Sequence, residues 1–270
     1  MYIASKENPK IKLWNKLSQS KKARVQEGLF VLEGARLCAE AIDQWKNGKL
    51  EIYAAFAAED ALEKYCDYIP RELFLDNEYK KFFVVSDEVS RKMSETKGAQ
   101  GIYIIAHYQN KLLSENDLDK NGRYLILDNL QDPGNVGTIL RTADAVGVSG
   151  VVMCNNCCEL YNPKTIRSAM GSVFRLQIYH EKDLQTVCDL FGKLAVKTYA
   201  AVIDKDAVSL TDVDFENGCA VVIGNEGNGL SAEDSSCCDE KITIKMQGNI
   251  NSLNAAMAGG IILWEMFRNR

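Results

Sequence analysis

Three stretches of this 270-residue chain hold the side chains best suited to chemistry, each straight after a run of apolar residues. In the first, Tyr124 to Cys154, Asn135 and Arg141 stand among Val136, Ile139, Leu140 and Ala143. In the second, Cys219 to Ser231, Glu226 is the one carboxylate inside a loop marked by Gly224, Gly227 and Gly229. In the third, Lys241 to Arg268, a polar run after Met246 contains Gly248, Ser252 and Asn254. A guanidinium inside a helix suits an anionic or phosphate partner, because its planar fork of donors matches those oxygens. The same spacing also suits a surface arginine paired with Asp144 at i+3. Glu226 can hold its own turn by accepting backbone N–H bonds, or it can serve a bound group. No histidine lies in any of the three stretches, which argues against an imidazole base.

The elements that must position these groups show in the apolar spacing. Tyr124 to Leu127 predicts a buried strand, and Asp132-Pro133-Gly134 a turn. Asn135 is placed as an N-cap for a helix through Val146, ended by Gly147, with Val151 to Met153 as the next strand. That is the length of a βαβ unit. Cys219 to Ile223 predicts a second strand running into its loop, and Ser231 with Asp234 reads as a capping box. The third stretch predicts a strand, a polar loop and a long apolar helix from Ser252, its N-cap, to Arg268. That helix is apolar nearly all round, which calls for burial on most sides, in a core or a subunit interface. In an open α/β sheet, ligands bind outside the carboxyl ends of the strands. Three such loops are therefore expected to make one pocket.

The rest of the chain reads as alternating α/β. A lysine-rich helix around Ile11 to Leu17 precedes strands at Phe30–Leu32, Ile52–Ala57, Phe82–Val85 and Gly101–Ala106. Helices are predicted from Gly34 to Trp45, from Glu59 to Tyr68, and through Met93 behind a cap at Ser86 or Asp87. Residues 1–106 suffice for a small domain, the polar stretch 107–122 reads as a linker, and 123–270 as the second domain. Pro163 suits a first helical position, with Lys164 and Arg167 as i, i+3 neighbours. The net charge of −5 is mildly against nucleic-acid binding. Residues 1–36 nevertheless carry eight basic against three acidic side chains, a local +5, and Lys10, Lys12, Lys21, Lys22 and Arg24 could meet phosphate. A solvated amphipathic helix explains the same charges. The nine cysteines include two adjacent pairs, Cys157-Cys158 and Cys237-Cys238, rather than CxxC knuckles, so reduced thiols and no metal are expected. There is no secretory h-region and no apolar run long enough to span a bilayer, which predicts a cytoplasmic protein without membrane association.

The three stretches resemble the three motifs of the SpoU/TrmH family of RNA ribose methyltransferases, in the SPOUT class. DPGNVGTILRTADA resembles the first, IGNEGNGLS the second and IKMQGNINSLNAAMAGG the third, in order. Lys245 stands where a proline is usual, and Ala255-Ala256 where Val-Ser is usual. NPKIK, FVLEGARL and SDEVSRKMSETKGAQGIYIIA resemble the substrate-binding domain found ahead of that catalytic domain, an α/β domain of the L30e/L7Ae type. The resemblance implies a trefoil-knotted parallel sheet, the cofactor S-adenosylmethionine, and methylation of a ribose 2′-hydroxyl. The leading domain leans the substrate toward ribosomal RNA, most simply that of the large subunit (23S); transfer RNA is the alternative. By the same resemblance Arg141 binds the phosphate beside the target ribose and assists deprotonation, oriented by Asn135, with Glu226, Ser252 and Asn254 at the reacting groups. The cofactor is expected against Ile223, Gly224, Asn225, Gly227, Ile244, Met246, Gly248, Ser252 and Leu253. Lys164 and Arg167 are expected at RNA phosphate, and the last helix in a homodimer. Two rivals differ in class. A nicotinamide enzyme needs G-x-G-x-x-G where DPGNVG stands. A non-catalytic RNA-binding module leaves Asn135, Arg141 and Glu226 without a reason to occur together.

Overall fold

Apolar strands alternate with capped helices along the whole chain, and the computed structural model arranges them in two compact units. Residues 1–76, 78–94, 98–215 and 218–268 are described; residues 95–97 of the SDEVSRKMSETKGAQGIYIIA segment fall outside them. The first unit joins Met1–Gln109 to Tyr161–Phe174, and the second joins Asn110–Leu160 to Arg175–Arg270.

The first unit holds strands β1 (Tyr2–Ile3), β2 (Leu29–Glu33), β3 (Ile52–Ala58), β4 (Phe82–Val85) and β5 (Ile102–His107). Their order is β1-β4-β3-β5-β2, with β5 antiparallel to both neighbours and the other pairs parallel. The lysine-rich segment is two helices, Pro9–Gln19 and Lys21–Glu27, because Ser20 leaves helical backbone to cap the second through Ala23 N. Ile11, Trp14 and Leu17 of the first are buried, and Trp14 Nε1 donates to the Met93 carbonyl at 2.8 Å. Trp14 also meets Tyr103 edge-on at 5.2 Å. The predicted Glu59–Tyr68 helix stops at Lys64. β1 and a helix at Glu72–Leu75 went unpredicted, being too short to show a period.

The Pro163–Ala169 helix, capped by Asn162 as its sequence requires, packs on β2. Just ahead of it, the Tyr161 ring lies 4.4 Å from Phe30 and 4.3 Å from Tyr108, and its hydroxyl accepts the Gln109 N–H at 2.9 Å. Apolar contact thus draws 161–174 into the first unit, although in sequence it lies between motifs of the second.

The second unit is built on β6 (Arg123–Asp128), β7 (Gly150–Cys154), β8 (Ile178–His180), β9 (Lys197–Ala201), β10 (Val208–Ser209), β11 (Cys219–Ile223) and β12 (Glu240–Thr243). All its strand pairs are parallel, in the order β10-β12-β9-β11-β6-β7-β8. Fully parallel sheets bury both faces, which is why β6, β7 and β11 are buried at every residue. The loops after β6, β11 and β12 leave the same edge. The first feeds the Pro133–Val146 helix, whose N-cap is Asp132 and not Asn135. Pro133 occupies the first turn, so the capping oxygen must come from the residue before it, and Asp132 Oδ1 accepts Asn135 N at 2.9 Å. The last helix is Ala255–Phe267, capped by Asn254 rather than Ser252. It packs against Pro133–Val146 at Gly259, where an added Cβ would lie 3.1 Å from both Ile139 and Ile223 side-chain carbons. No helix among the described residues is long and apolar enough to cross a membrane.

Candidate active site

Side-chain hydrogen bonds tie the three loops at the carboxyl edge into one network. Glu226, from the β11 loop, reaches the β6 loop and accepts three bonds. Oε2 takes Gln131 N at 3.0 Å, and Oε1 takes Asp132 N at 2.9 Å and Asn135 Nδ2 at 3.1 Å. Asn135 Oδ1 in turn accepts Asn254 Nδ2 at 3.0 Å, from the loop after β12. Asn254 Oδ1 caps the last helix through Ala256 N and Met257 N. Burial raises the Glu226 pKa, but the bonds from Gln131, Asp132 and Asn135 outweigh it, and the carboxyl stays below its ordinary value. Glu226 is therefore ionised at neutral pH, a fixed acceptor that holds the first loop closed.

Asn225 does the same for backbone. Its Nδ2 donates to the Asn129 carbonyl at 2.9 Å, and its Oδ1 accepts Gly227 N and Asn228 N. Asn129 needs the tie, since its φ of 54° is costly for a residue with a side chain. From the other side, Cys157 Sγ accepts Leu130 N at 3.3 Å and donates to the Leu127 carbonyl at 3.1 Å.

Beside this network lies a cavity of about 470 Å³, walled by Ile223, Gly224, Asn225, Ile244, Met246 and Leu253 among others. That is the size range of small-ligand pockets. The wall depends on glycine: a Cβ on Gly224 would fall 2.6 Å from the Gly229 carbonyl carbon. Glu226, Gly227 and Ser252 also line it; Gly248 is exposed and does not. Sequence reasoning missed the loop after β9, whose Val202, Ile203 and Asp204 close one side. It carries no glycine signature, yet it leaves the same sheet edge one strand from β11.

Arg141 is exposed on the Pro133–Val146 helix, and its guanidinium has no partner among the described residues. The alternative i+3 pairing with Asp144 does not form among the described residues; Asp144 is held by Arg175. In the first unit Lys21 and Lys22 are exposed, Lys12 pairs with Glu7 at 2.6 Å, and Lys10 Nζ sits 5.0 Å above the Tyr53 ring. Lys164 is exposed and Arg167 half-buried. Arg24 departs from expectation. It is 3% exposed, and its Nη1 donates to the Leu17 and Ser18 carbonyls, bracing the turn between two helices, so it is not free to meet phosphate. None of the nine cysteines lies in a disulfide, and no cluster among the described residues could hold a metal ion.

A parallel sheet with a ligand-sized cavity under linked loops at its carboxyl edge defines an α/β protein of the kind whose ligands bind at that edge. Comparison with known proteins makes this specific. Residues 122–264 match the SpoU rRNA Methylase family, and residues 8–104 match the MRM3-like substrate binding domain. The chain belongs to the SpoU rRNA methylase family. It is 29% identical to the 23S rRNA (guanosine(2553)-2′-O)-methyltransferase RlmP of Bacillus subtilis (strain 168), over 98% of each chain. It is 31% identical to the uncharacterized tRNA/rRNA methyltransferase slr1673 of Synechocystis sp. (strain ATCC 27184 / PCC 6803 / Kazusa), over 99% of this chain and 94% of that one. The crystal structure of the AdoMet-bound rRNA methyltransferase from Sinorhizobium meliloti superposes with a TM-score of 0.83 at 26% identity, covering 100% of this chain and 98% of that one.

Proposed function

We propose that the protein is an S-adenosylmethionine-dependent methyltransferase acting on a ribose 2′-hydroxyl of ribosomal RNA, in the 23S molecule. The carrying observation is the hydrogen-bonded chain Glu226–Asn135–Asn254, which draws one residue from each motif to the edge of a ligand-sized cavity. The cavity fits the cofactor: apolar side chains at Ile223, Ile244, Met246 and Leu253 suit an adenine, and the Gly224–Gly229 backbone lets a ligand approach closely. When bound, S-adenosylmethionine supplies an electrophilic sulfonium methyl. The chain's own residues hold the RNA. The Arg141 guanidinium takes the phosphate beside the target ribose and stabilises negative charge on the 2′-oxygen as its proton passes to water. Asn135, fixed from both sides, and Ser252 orient the sugar. Exposed Lys21 and Lys22, with Lys10, Lys12, Lys164 and Arg167, attract backbone phosphate.

The same reading extends to the finer architecture. The second unit's sheet closes in a trefoil knot, the first unit is of the L30e type and binds the substrate, and two copies pair through the last helix in the cytoplasm.

The test is single-turnover methylation of 23S rRNA fragments, with calorimetry for S-adenosylhomocysteine. Arg141→Ala should lose more than a hundredfold in rate, about 3 kcal/mol of transition-state stabilisation, with cofactor affinity within twofold of the parent. Arg141→Lys should recover little, because an ammonium lacks the two-point fork. Near-parental turnover by Arg141→Ala would remove Arg141 from the mechanism, and binding of NAD in place of S-adenosylhomocysteine would sink the cofactor assignment.

A further inference from the structure

Asp144 follows Arg141 by three residues on one helix, the spacing at which opposite charges meet on a helix surface. Among the described residues that pair does not form, and the carboxylate is bound by Arg175 instead. Arg175 Nε lies 2.9 Å and Nη2 2.7 Å from Asp144 Oδ2. Arg175 ends the short Ser172–Arg175 helix, at the point where the chain re-enters the second unit. The Asp144 side chain is 21% exposed, so the ion pair is partly shielded, while Arg141 stands exposed with no partner among the described residues.

We propose that Arg175 is a positioning residue for methyl transfer: it sequesters Asp144 and so keeps the Arg141 guanidinium open for an RNA phosphate. The inference rests on the reading of Arg141 as phosphate ligand. A carboxylate within reach of that guanidinium would harm it in two ways. It would compete for the fork of donors, and it would repel the incoming phosphate. With Arg175 in place, the Asp144 charge is offset and Arg141 keeps its own. Without it, Asp144 loses that counter-charge and, three residues along the same helix, is placed to turn to Arg141. Both donors of Arg175 converge on a single oxygen, a hold that lysine cannot reproduce with one ammonium.

The experiment uses the full chain carrying Arg175→Ala, Asp144→Asn, both changes together, or Arg141→Ala. KM for a 23S rRNA fragment and kcat are read separately, alongside affinity for S-adenosylhomocysteine and thermal stability. Arg175→Ala should raise KM for RNA about fivefold, the scale of a partly exposed ion pair, and leave cofactor affinity within twofold. Asp144→Asn alone should stay within twofold of the parent. The double variant should return to within twofold of the parent in KM, a rescue that an RNA-contacting Arg175 could not produce. An unchanged KM in Arg175→Ala, or a double variant as impaired as Arg175→Ala, overturns the inference and leaves Arg141 in its role. Near-parental turnover by Arg141→Ala overturns the reading beneath, and the inference with it. Should Arg175→Ala fail to fold, Arg175→Gln carries the same test.

Discussion

Asn254 uses both ends of one side chain, its oxygen capping the last helix and its amide group donating to Asn135. The two roles separate chemically. Asn254→Asp keeps an acceptor for the cap and loses the donor; Asn254→Ala loses both. Loss of a cap costs about 1 kcal/mol, a drop in Tm of roughly 2–4 °C for a unit of this size. We expect Asn254→Ala to show that drop together with a methylation rate at least tenfold lower. Asn254→Asp should melt near the parent and remain slow. Thermal melts beside single-turnover rates decide it; equal rates in parent and Asp variant would detach Asn254 from the site. The sequence pointed to Ser252 as the cap because serine and asparagine both cap helices, and spacing alone does not show which of them the loop delivers. Asn135 was displaced by Asp132 for a like reason, proline having set the start of its helix. Glu226 was legible as a lone carboxylate among glycines. Arg24 was not, since nothing in a lysine-rich run marks the one basic side chain that turns inward to carbonyl oxygens.

At the scale of elements, the last helix buries Ala255, Gly259, Ile262, Leu263 and Met266 and leaves Met257, Ile261 and Trp264 at 61%, 39% and 64% exposure. These three recur at i, i+4 and i+7, one stripe on the side away from the core. All-round apolarity in the sequence marked burial without dividing core from stripe, because both are written in the same residues. On the proposed homodimer, Trp264→Glu should yield monomers by light scattering at micromolar concentration while the melted fraction at 25 °C stays negligible. A parent that is already monomeric would remove the dimer. Strands were legible where they are long and buried, as in β6, β7 and β11. The loop after β9 was not, since its part in the cavity comes from β11 being inserted between β9 and β6, an order that no local pattern announces.

The molecule as a whole should weaken in alkali through its first unit. Burial raises the pKa of Tyr103 and of Tyr161 from 10.0 to about 12. Below pH 10 both folded and unfolded chains keep these protons. Between 10 and 12 the unfolded chain releases them and the folded one does not, so stability falls with rising pH across that window. Urea midpoints measured from pH 9 to 12 should decline, and Tyr161→Phe should flatten the decline while costing about 1 kcal/mol at neutral pH for the lost bond to Gln109. A decline of the same slope in Tyr161→Phe would clear Tyr161 of any part in it.

Tyr161 also shows what composition could not reveal: the first unit is discontinuous along the chain. The front portion therefore cannot be exchanged as a single cassette. A fragment ending at Gln109 would leave Phe30 and Val31 bare where Tyr161, Pro163 and Ile166 now cover them. Recombination that trades front portions between related genes needs two crossovers, and residues 161–174 must be inherited with residues 1–109 although the first catalytic motif is encoded between them.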